Sequence, residues 1–448
     1  MHIQRLSLSN FRRFAELELE LEVDLTVLVA RNGCGKTSVL DGIAVALGPF
    51  VGAFDRGTSV GFLRTDARLR RTEAQPEGVP QYPVSVAATF GSPDLDVQRE
   101  LGGPKARTTV RGATSLVDLG RTLQEGVRAG DPGEPDKPVE LPVVAYYGAG
   151  RLWRVHRDMT RREVLSADRT IGYEDALSSA SNFAQFQRWL ELATLAQLQE
   201  GERGVLGAVS YTDRLQAVRD AVGVALETEG WRDLHYSFAL EVPAMVHRDL
   251  GTLPVSQLSD GARAMVSLVA DLAFRCVRLN GHLGALAPRE TAGIVLIDEV
   301  DLHLHPAWQQ TVVGALQRAF PRVQFVLTTH SPQVLSTVDA RSIRVLSIDA
   351  SGAADEPTTL VGRVSVQTRG GLSSDVLAEV MGTFPIPDIE PTRWADDFAR
   401  HVERGTGESD EAQALIQKVL AHFGAEHPAV QRLRRLERAE SLKRRLAQ

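Results

Sequence analysis

A glycine-rich loop between two apolar segments carries the strongest chemical signal in this 448-residue sequence. The apolar run from Leu25 to Val29 precedes the loop, and an apolar-periodic segment from Ser38 to Leu47 follows it. A strand, a glycine loop and a helix in this order are typical of a P-loop, whose backbone N–H groups and helix N-terminus bind phosphate oxygens. The residues that we expect to bind ATP are Asn32, Gly33, Cys34, Gly35, Lys36, Thr37 and Ser38.

Two side chains of this loop have separate expected tasks. Lys36 would neutralise charge on the β- and γ-phosphates, and the Thr37 hydroxyl would be a ligand of Mg²⁺. The first glycine of the usual P-loop pattern is replaced by Ala30. Because a methyl group disfavours positive φ, we expect a slightly altered entry to the loop and a working site.

A second apolar strand ends in two carboxylates, in the order that a nucleotide hydrolase needs. The run Gly293 to Ile297 is followed directly by Asp298 and Glu299. Asp298 would hold the magnesium ion, and Glu299 would polarise the water that attacks the γ-phosphate. An acidic pair after an apolar strand is weak evidence alone. Its position after a P-loop makes this a predicted Walker B element.

Composition limits the class of protein. Hydrophobic residues make up 43% of the chain, enough for a real core over two to four lobes. The start of the chain lacks a signal-peptide pattern and no window is apolar enough to span a bilayer, so we predict a cytoplasmic protein without membrane contact. Two cysteines provide neither a disulfide framework nor a zinc cluster, and a net charge of −7 argues against a uniformly DNA-coating protein.

The pattern of apolar residues predicts four segments. Residues 1–152 and 236–350 would form the two halves of an α/β nucleotide-binding head. Residues 153–235 would form an inserted helical lobe, and residues 365–448 a small helical C-terminal region. Gly, Pro and charge are frequent over residues 91–140, which predicts an irregular surface region there.

Two further segments resemble motifs of ABC ATPases. Leu258 to Arg263 is similar to the LSGGQ signature, with Asp260 in place of the middle glycine, although an ordinary helix N-cap explains the same residues. In ABC proteins the signature reaches across a dimer interface, which implies that Ser259 and Gly261 bind the γ-phosphate held by a second copy. The strand from Phe325 to Thr329 ends at His330 and resembles the H-loop, whose imidazole contacts the γ-phosphate.

Two turns have alternative interpretations. Glu299 to Pro306 contains carboxylates and histidines that could indicate a metal site, but alternate residues on a turn rarely converge on one ion. The resemblance favours a D-loop against the partner subunit, with Pro306 starting the next helix. Gly148 to Arg151 lies where ABC proteins carry a Q-loop. Because no glutamine is present, Arg151 is the candidate for nucleotide contact there, and Arg12 and Arg13 are further candidates.

Taken together, the motifs resemble those of the RecF/SMC/OLD branch of ABC-type ATPases. This implies a P-loop ATPase head with a mixed sheet, dimerising around ATP and Mg²⁺. Three blocks are moreover similar to the Septu anti-phage ATPases of the PtuA family and their retron-associated relatives: Tyr146–Trp153, Gly172–Leu177 and Gly371–Gly382. That family implies an ATP-regulated oligomer that restrains an HNH nuclease. The roughly 100 residues after His330 show no Toprim pattern, so we do not expect this chain to cut DNA itself.

Our leading hypothesis is therefore a slow, dimeric or higher-order ATPase with an HNH nuclease partner. The alternatives are a RecF-like DNA repair ATPase and a nucleotide-sensing scaffold that hydrolyses almost no ATP. The basic run from Arg432 to Arg445 would contact nucleic acid or an acidic partner. Alternatively, it is a solvated helix that packs Leu433, Leu436 and Leu442 inward.

Overall fold

A computed structural model describes residues 1–72, 75–129, 138–150, 168–179, 183–203, 210–349 and 358–447. The chain divides into two compact units, Met1–Val376 and Leu377–Gln448. Within the described ranges, no helix combines the length and the apolar character that crossing a membrane requires.

Fifteen strands are named in the described residues. In chain order they are β1 (His2–Phe11), β2 (Phe14–Glu20), β3 (Leu25–Ala30), β4 (Leu69–Thr72), β5 (Gln75–Pro80), β6 (Val84–Gly91), β7 (Leu95–Leu101), β8 (Val143–Tyr147), β9 (Trp231–Ser237), β10 (Val242–His247), β11 (Gly251–Pro254), β12 (Gly293–Ile297), β13 (Val323–Thr329), β14 (Ile343–Asp349) and β15 (Thr358–Arg363).

The α-helices are numbered in the same way. They are α1 (Lys36–Val51), α2 (Thr114–Ala129), α3 (Phe183–Arg203), α4 (Tyr211–Leu226), α5 (Asp260–Leu279), α6 (Ala287–Glu290), α7 (Pro306–Gln309), α8 (Val312–Ala319), α9 (Pro332–Leu335), α10 (Ser373–Glu379), α11 (Glu390–Arg404), α12 (Asp410–Phe423) and α13 (Pro428–Ala447).

The centre of the first unit is a six-stranded sheet in the order β15-β14-β3-β13-β12-β8. All neighbouring strands are parallel except β15, which pairs antiparallel with β14. Strands β3, β8, β12 and β13 are buried along their whole length. Their near-continuous apolar sequences are what a parallel sheet covered on both faces requires. The predicted α/β fold with a mixed sheet is confirmed.

A second, antiparallel sheet in the order β2-β1-β6-β7 packs against the other side of α1. In β2, leucines alternate with glutamates, and the leucines are buried together with Phe14, while the glutamates are exposed. This is the half-exposed strand that a period of two predicts. Helix α1 is buried along most of its length, because sheets lie on both of its sides.

The region 91–140 is more regular than we predicted. It contains strand β7, which completes the antiparallel sheet, and the amphipathic helix α2, which packs on α1 and β7. Gly102, Gly103 and Pro104 lie in the connection after β7, and the second run that suggested an irregular region, 131–135, lies outside the described residues. Cross-strand pairing with β6 stabilises β7, and a local composition count does not detect such pairing.

The predicted helical lobe is represented by α3 and α4. Helix α3 buries Phe186, Trp189 and Leu190 almost completely, as its apolar spacing predicts. Strand β9 begins at Trp231, ahead of the predicted lobe boundary at residue 235, and forms a three-stranded antiparallel sheet with β10 and β11. The limits of the predicted domains otherwise remain predictions.

The second unit is a helical bundle with its own small core. Helices α11, α12 and α13 enclose the side chains of Phe398, Val402, Val419 and Val430. On α13, Leu433 is buried and Leu436 packs against this cluster. Our expectation for Leu442 was wrong, since its side chain is 57% exposed. It is not among the residues that pack against this core.

Candidate nucleotide-binding site

The order of the central sheet brings the predicted site residues together. Strand β13 lies between β3 and β12, and the three strands are parallel. The P-loop follows β3, Asp298 and Glu299 follow β12, and His330 follows β13. Because the carboxyl ends of parallel strands share one edge of a sheet, the segments meet there although they are far apart in the chain.

The P-loop backbone explains its glycines. Gly33 and Gly35 have φ values of 76° and 92°, in the left-handed region that favours glycine. A Cβ atom at Gly35 would moreover lie 2.4 Å from Cζ of Phe14. Ala30 is the last residue of β3 and has no positive φ, in agreement with our expectation for a methyl group at this position.

Lys36, the first residue of α1, reaches back over the loop. Its Nζ atom donates to the carbonyl oxygen of Ala30 at 3.1 Å and lies 2.6 Å from Nε2 of His330, which acts as acceptor. Burial lowers the pKa of Lys36, although the carboxylates of Asp298 and Glu299 oppose this shift. The lysine and the histidine that we predicted to contact the γ-phosphate are therefore direct neighbours.

Asp298 and Thr37 form an oxygen site beside this lysine. The Thr37 hydroxyl donates to Oδ2 of Asp298 at 2.8 Å, and Oδ1 accepts from the hydroxyl of Thr328 at 2.6 Å. Magnesium prefers hard oxygen ligands and binds with few protein groups, so this pair fits it. Among the described residues, no group of three or more His, Cys, Asp or Glu side chains is placed to hold a metal ion.

The helix that follows the P-loop is also suited to an anion. The first turn of α1 has Gly35 at its N-cap and no side chain that hydrogen-bonds its amides. Such N–H groups carry the partial positive charge of the helix N-terminus. Asn32 and Thr37 are exposed, whereas Cys34 is buried, so Cys34 would contribute its backbone rather than its thiol.

Thr328 and Thr329 are functional candidates that the sequence analysis missed. The hydroxyl of Thr328 also accepts from the backbone N–H of Glu299 at 2.8 Å, and that of Thr329 donates to Asp301 at 2.6 Å. Glu299 itself has a φ of 49°, a strained backbone for a non-glycine residue. Strand β13 thus holds the acidic turn of β12 in place. Two threonines at the end of an apolar strand were the only local sign.

The turn after β1 contacts the P-loop. The Arg13 guanidinium donates to the carbonyl oxygen of Gly33. Arg12 forms ion pairs with Asp41 on α1 and with the buried Asp66. Arg13 therefore lies at the predicted site, while Arg12 anchors the turn that presents it.

Ser259 and Asp260 of the signature-like segment are exposed at the start of α5, whereas Leu258, Gly261 and Ala262 are buried. Ser259 is the N-cap, and its hydroxyl accepts from the N–H of Ala262 at 3.3 Å. The hydrogen bonds of Lys36 and Thr37 described above lead to Ala30, His330 and Asp298, not to Ser259. The cap role is thus observed, and the phosphate-binding role of Ser259 and Gly261 remains a prediction.

The turn from Glu299 to Pro306, which we predicted to be a D-loop, packs against this segment. A Cβ atom built on Gly261 would lie 2.6 Å from the carbonyl oxygen of His303. In this turn His303 has a φ of 64°. The turn ends where Pro306 begins α7, as predicted, with His305 as N-cap. Arg151, the remaining predicted contact, lies outside the described residues.

This packing gives a direct prediction for Gly261→Ala. The added methyl group has to displace the His303 carbonyl, and overpacking of this kind costs about 1–3 kcal/mol. We expect ATP turnover to fall at least about tenfold, because small displacements of site residues have large kinetic effects. Binding of a fluorescent ATP analogue at the P-loop should stay within about twofold, since the P-loop lies on other elements.

Gly223→Ala is a matched control for that variant. Gly223 lies inside α4, and no atom would lie within 4 Å of an added Cβ. The change should leave turnover unchanged and stabilise the helix by up to about 1 kcal/mol. Equal turnover in both variants would contradict a functional role for the contact between Gly261 and His303.

Comparisons with known proteins agree with this geometry. A family model described as "AAA domain" matches residues 5–208, and one described as "AAA domain, putative AbiEii toxin, Type IV TA system" matches residues 156–336. "Retron Ec83 probable ATPase" of Escherichia coli is 23% identical over 493 aligned positions, covering 95% of this chain and 84% of that protein. "Septu protein PtuA" of Bacillus thuringiensis is 28% identical over 132 positions, covering 30% of this chain and 33% of PtuA.

Among solved structures, an SMC head bound to the C-terminal winged-helix domain of ScpA matches with a TM-score of 0.48 and 14% identity. The match covers 81% of this chain and 99% of that head. Because a match at this TM-score and identity carries no argument, the assignment of the fold depends on the sheet order and the site described above. The homologues of this chain are retron ATPases and PtuA, which confirms the resemblance predicted from the motifs.

Proposed function

We propose that this AAA/ABC-type ATPase, which is related to retron and Septu ATPases, hydrolyses ATP at sites shared between two copies of the chain. The observation that supports this most is the separation of two half-sites. Lys36, Thr37, Asp298 and His330 are joined by direct hydrogen bonds at one sheet edge. Ser259 is exposed at the start of another element, where a second copy can use it.

Each residue has a task in this reaction. Lys36 and the loop amides bind the β- and γ-phosphates of ATP, and His330 contacts the γ-phosphate from the neighbouring strand. Thr37 and Asp298 would hold Mg²⁺, which neutralises phosphate charge when it is bound. Glu299 accepts a hydrogen bond from the attacking water and takes its proton as the water oxygen bonds to the γ-phosphorus, while the bond from that phosphorus to the β,γ-bridging oxygen breaks and ADP leaves. The products are ADP and inorganic phosphate.

Complementation between two inactive variants tests the shared site. Lys36→Ala removes the phosphate contact of a copy but leaves its Ser259, and Ser259→Ala does the reverse. We expect each variant alone to be nearly inactive. An equal mixture should recover about one quarter of wild-type turnover, because random pairing into twofold dimers leaves half of the pairs with one complete site of two. A mixture no more active than its better component would contradict a shared site.

We further propose that the assembly holds and restrains an HNH nuclease in anti-phage defence. Relatedness to the retron and Septu proteins supports this assignment. Slow turnover and a cytoplasmic location are part of the same proposal. Co-production with an HNH protein encoded beside this gene should give a stable complex whose nuclease activity depends on ATP. Strong stimulation of ATP turnover by gapped DNA, without such a complex, would instead favour a repair ATPase.

A further inference from the structure

A buried polar bridge connects the helix of the signature-like segment to the strand next to the acidic pair. The hydroxyl of Tyr147, the last residue of β8, donates to Oδ2 of Asp271 on α5 at 2.7 Å. The same oxygen accepts from Nε of Arg275 at 2.9 Å, one turn further along α5. Asp271 has no exposed surface, and Arg275 and Tyr147 are 5% and 2% exposed.

Both ends of the bridge lead to other elements. The backbone carbonyl of Tyr147 accepts from the N–H of Asp298 at 2.8 Å. Tyr147 therefore links the bridge to the backbone of Asp298, the carboxylate that would hold magnesium. Arg275 donates to the carbonyl oxygens of Gly172 at 2.9 Å and Glu174 at 3.0 Å. Strand β8, helix α5 and the chain around residue 173 are thereby held as one body.

Charge makes this bridge different from ordinary packing. Burial raises the pKa of Tyr147 well above its ordinary value, so the phenol stays a neutral donor. Replacing a buried ion pair by apolar residues is often neutral for stability, so such a pair is weak evidence for a stabilising role. The neighbours of Asp271 along α5, such as Leu268 and Leu272, are buried apolar residues. Apolar residues in place of the whole ion pair would be compatible with these surroundings, which points to orientation rather than stability as its role.

The position of the bridge along α5 magnifies its effect. Asp271 is twelve residues beyond Ser259, about 18 Å along the helix axis. A small tilt of α5 at Asp271 therefore moves Ser259 by a larger distance. Asp298 joins the bridge through its backbone N–H, so the bridge, together with the contact of Gly261 with His303, sets the separation of the two half-sites of one chain.

We propose that Tyr147, Asp271 and Arg275 are positioning residues, which fix the segment Ser259–Gly261 relative to Asp298. In an assembly with shared sites, the bridge then sets how accurately one copy presents Ser259 to the ATP held by another. This inference rests on the proposed function. It adds three residues that touch neither ATP nor magnesium but control turnover.

Tyr147→Phe is the variant that tests the inference with least disturbance. Removing Asp271 would leave a buried guanidinium unpaired and endanger the fold, whereas Tyr147→Phe deletes one hydroxyl. We expect kcat to fall at least about fivefold, as for other small displacements of site groups, with nucleotide affinity unchanged.

Tyr173→Phe is the matched control. Tyr173 is also fully buried and lies between the two residues whose carbonyls Arg275 contacts, but its hydroxyl donates to the carbonyl oxygen of Pro142 at 2.7 Å and not to Asp271. Both variants lose one buried hydrogen bond, so their thermal unfolding should shift similarly. Only Tyr147→Phe should lose turnover. Equal kcat values in the two variants, whether high or low, would overturn the inference.

The complementation mixture shows where the bridge acts. Its one complete site takes Ser259 from the Lys36→Ala copy and the P-loop from the Ser259→Ala copy. We expect Tyr147→Phe to reduce turnover when it is placed in the copy that supplies Ser259. A loss only in the copy that supplies the P-loop would mean a local effect on Asp298 and would overturn the positioning role. If the unmodified mixture regains no turnover, the proposed shared site fails first, which separates the two failures.

Discussion

Glu299→Gln should reduce ATP turnover by about 10²–10⁴-fold, the usual contribution of a general base. The amide keeps the size of the side chain but cannot take a proton from water. Lys36, Thr37 and Asp298 stay intact, so ATP still binds. The variant should therefore accumulate as an ATP-bound dimer, which size-exclusion chromatography with light scattering detects as a doubled mass in ATP and magnesium.

Glu290→Gln is a suitable control for that experiment. Glu290 is an exposed carboxylate at the end of α6, where it pairs with Arg322. Its replacement should change neither turnover nor mass. Undiminished turnover in Glu299→Gln would remove Glu299 from the role of base. A Glu299→Gln protein that stays monomeric with saturating ATP and magnesium would contradict the shared site.

Lys36→Ala should weaken ATP binding by at least about 100-fold, since charge-assisted hydrogen bonds contribute about 1.5–3 kcal/mol each and this ammonium can make several. Its Nζ atom lies between Ala30 and His330, at the point where the segments after β3 and β13 meet. Isothermal titration calorimetry with a non-hydrolysable ATP analogue measures the effect directly.

The chain offers a matched control for this lysine. It has only five lysines, and Lys105 is exposed in the connection after β7. Lys105→Ala should bind the analogue with wild-type affinity. Lys36→Met, which keeps the aliphatic stem, should lose binding as Lys36→Ala does. Full binding by Lys36→Met would show that the ammonium is dispensable and would contradict the phosphate role.

The site could be predicted largely because its motifs are local. A glycine loop after an apolar strand, or two acids after another, can be recognised within about ten residues. Thr328 could not be found in this way. Its importance depends on the parallel pairing of β12 with β13, which places its hydroxyl between Asp298 and the N–H of Glu299.

The same reason explains the errors in the fold. Strand β7 exists because β6 offers it a partner along seven paired residues, while its own composition resembles a loop. Leu442 fits the apolar stripe of α13, but its side chain is exposed and is not among those that pack against the core of the second unit. In both cases the deciding contacts lie outside the segment itself, in a neighbouring strand or in other helices, and the periodicity of the segment does not include them.

The interleaved order of the central sheet has a consequence for how such proteins diversify. Strands β3, β13 and β12, which precede the reacting groups, are adjacent in the sheet. Long connecting segments outside the sheet join them in the chain. Connecting segments of this kind can lengthen or be exchanged without altering the reacting groups, because function depends on the site and not on the connections. The connecting segments can thus acquire new binding partners while the nucleotide-binding site stays unchanged.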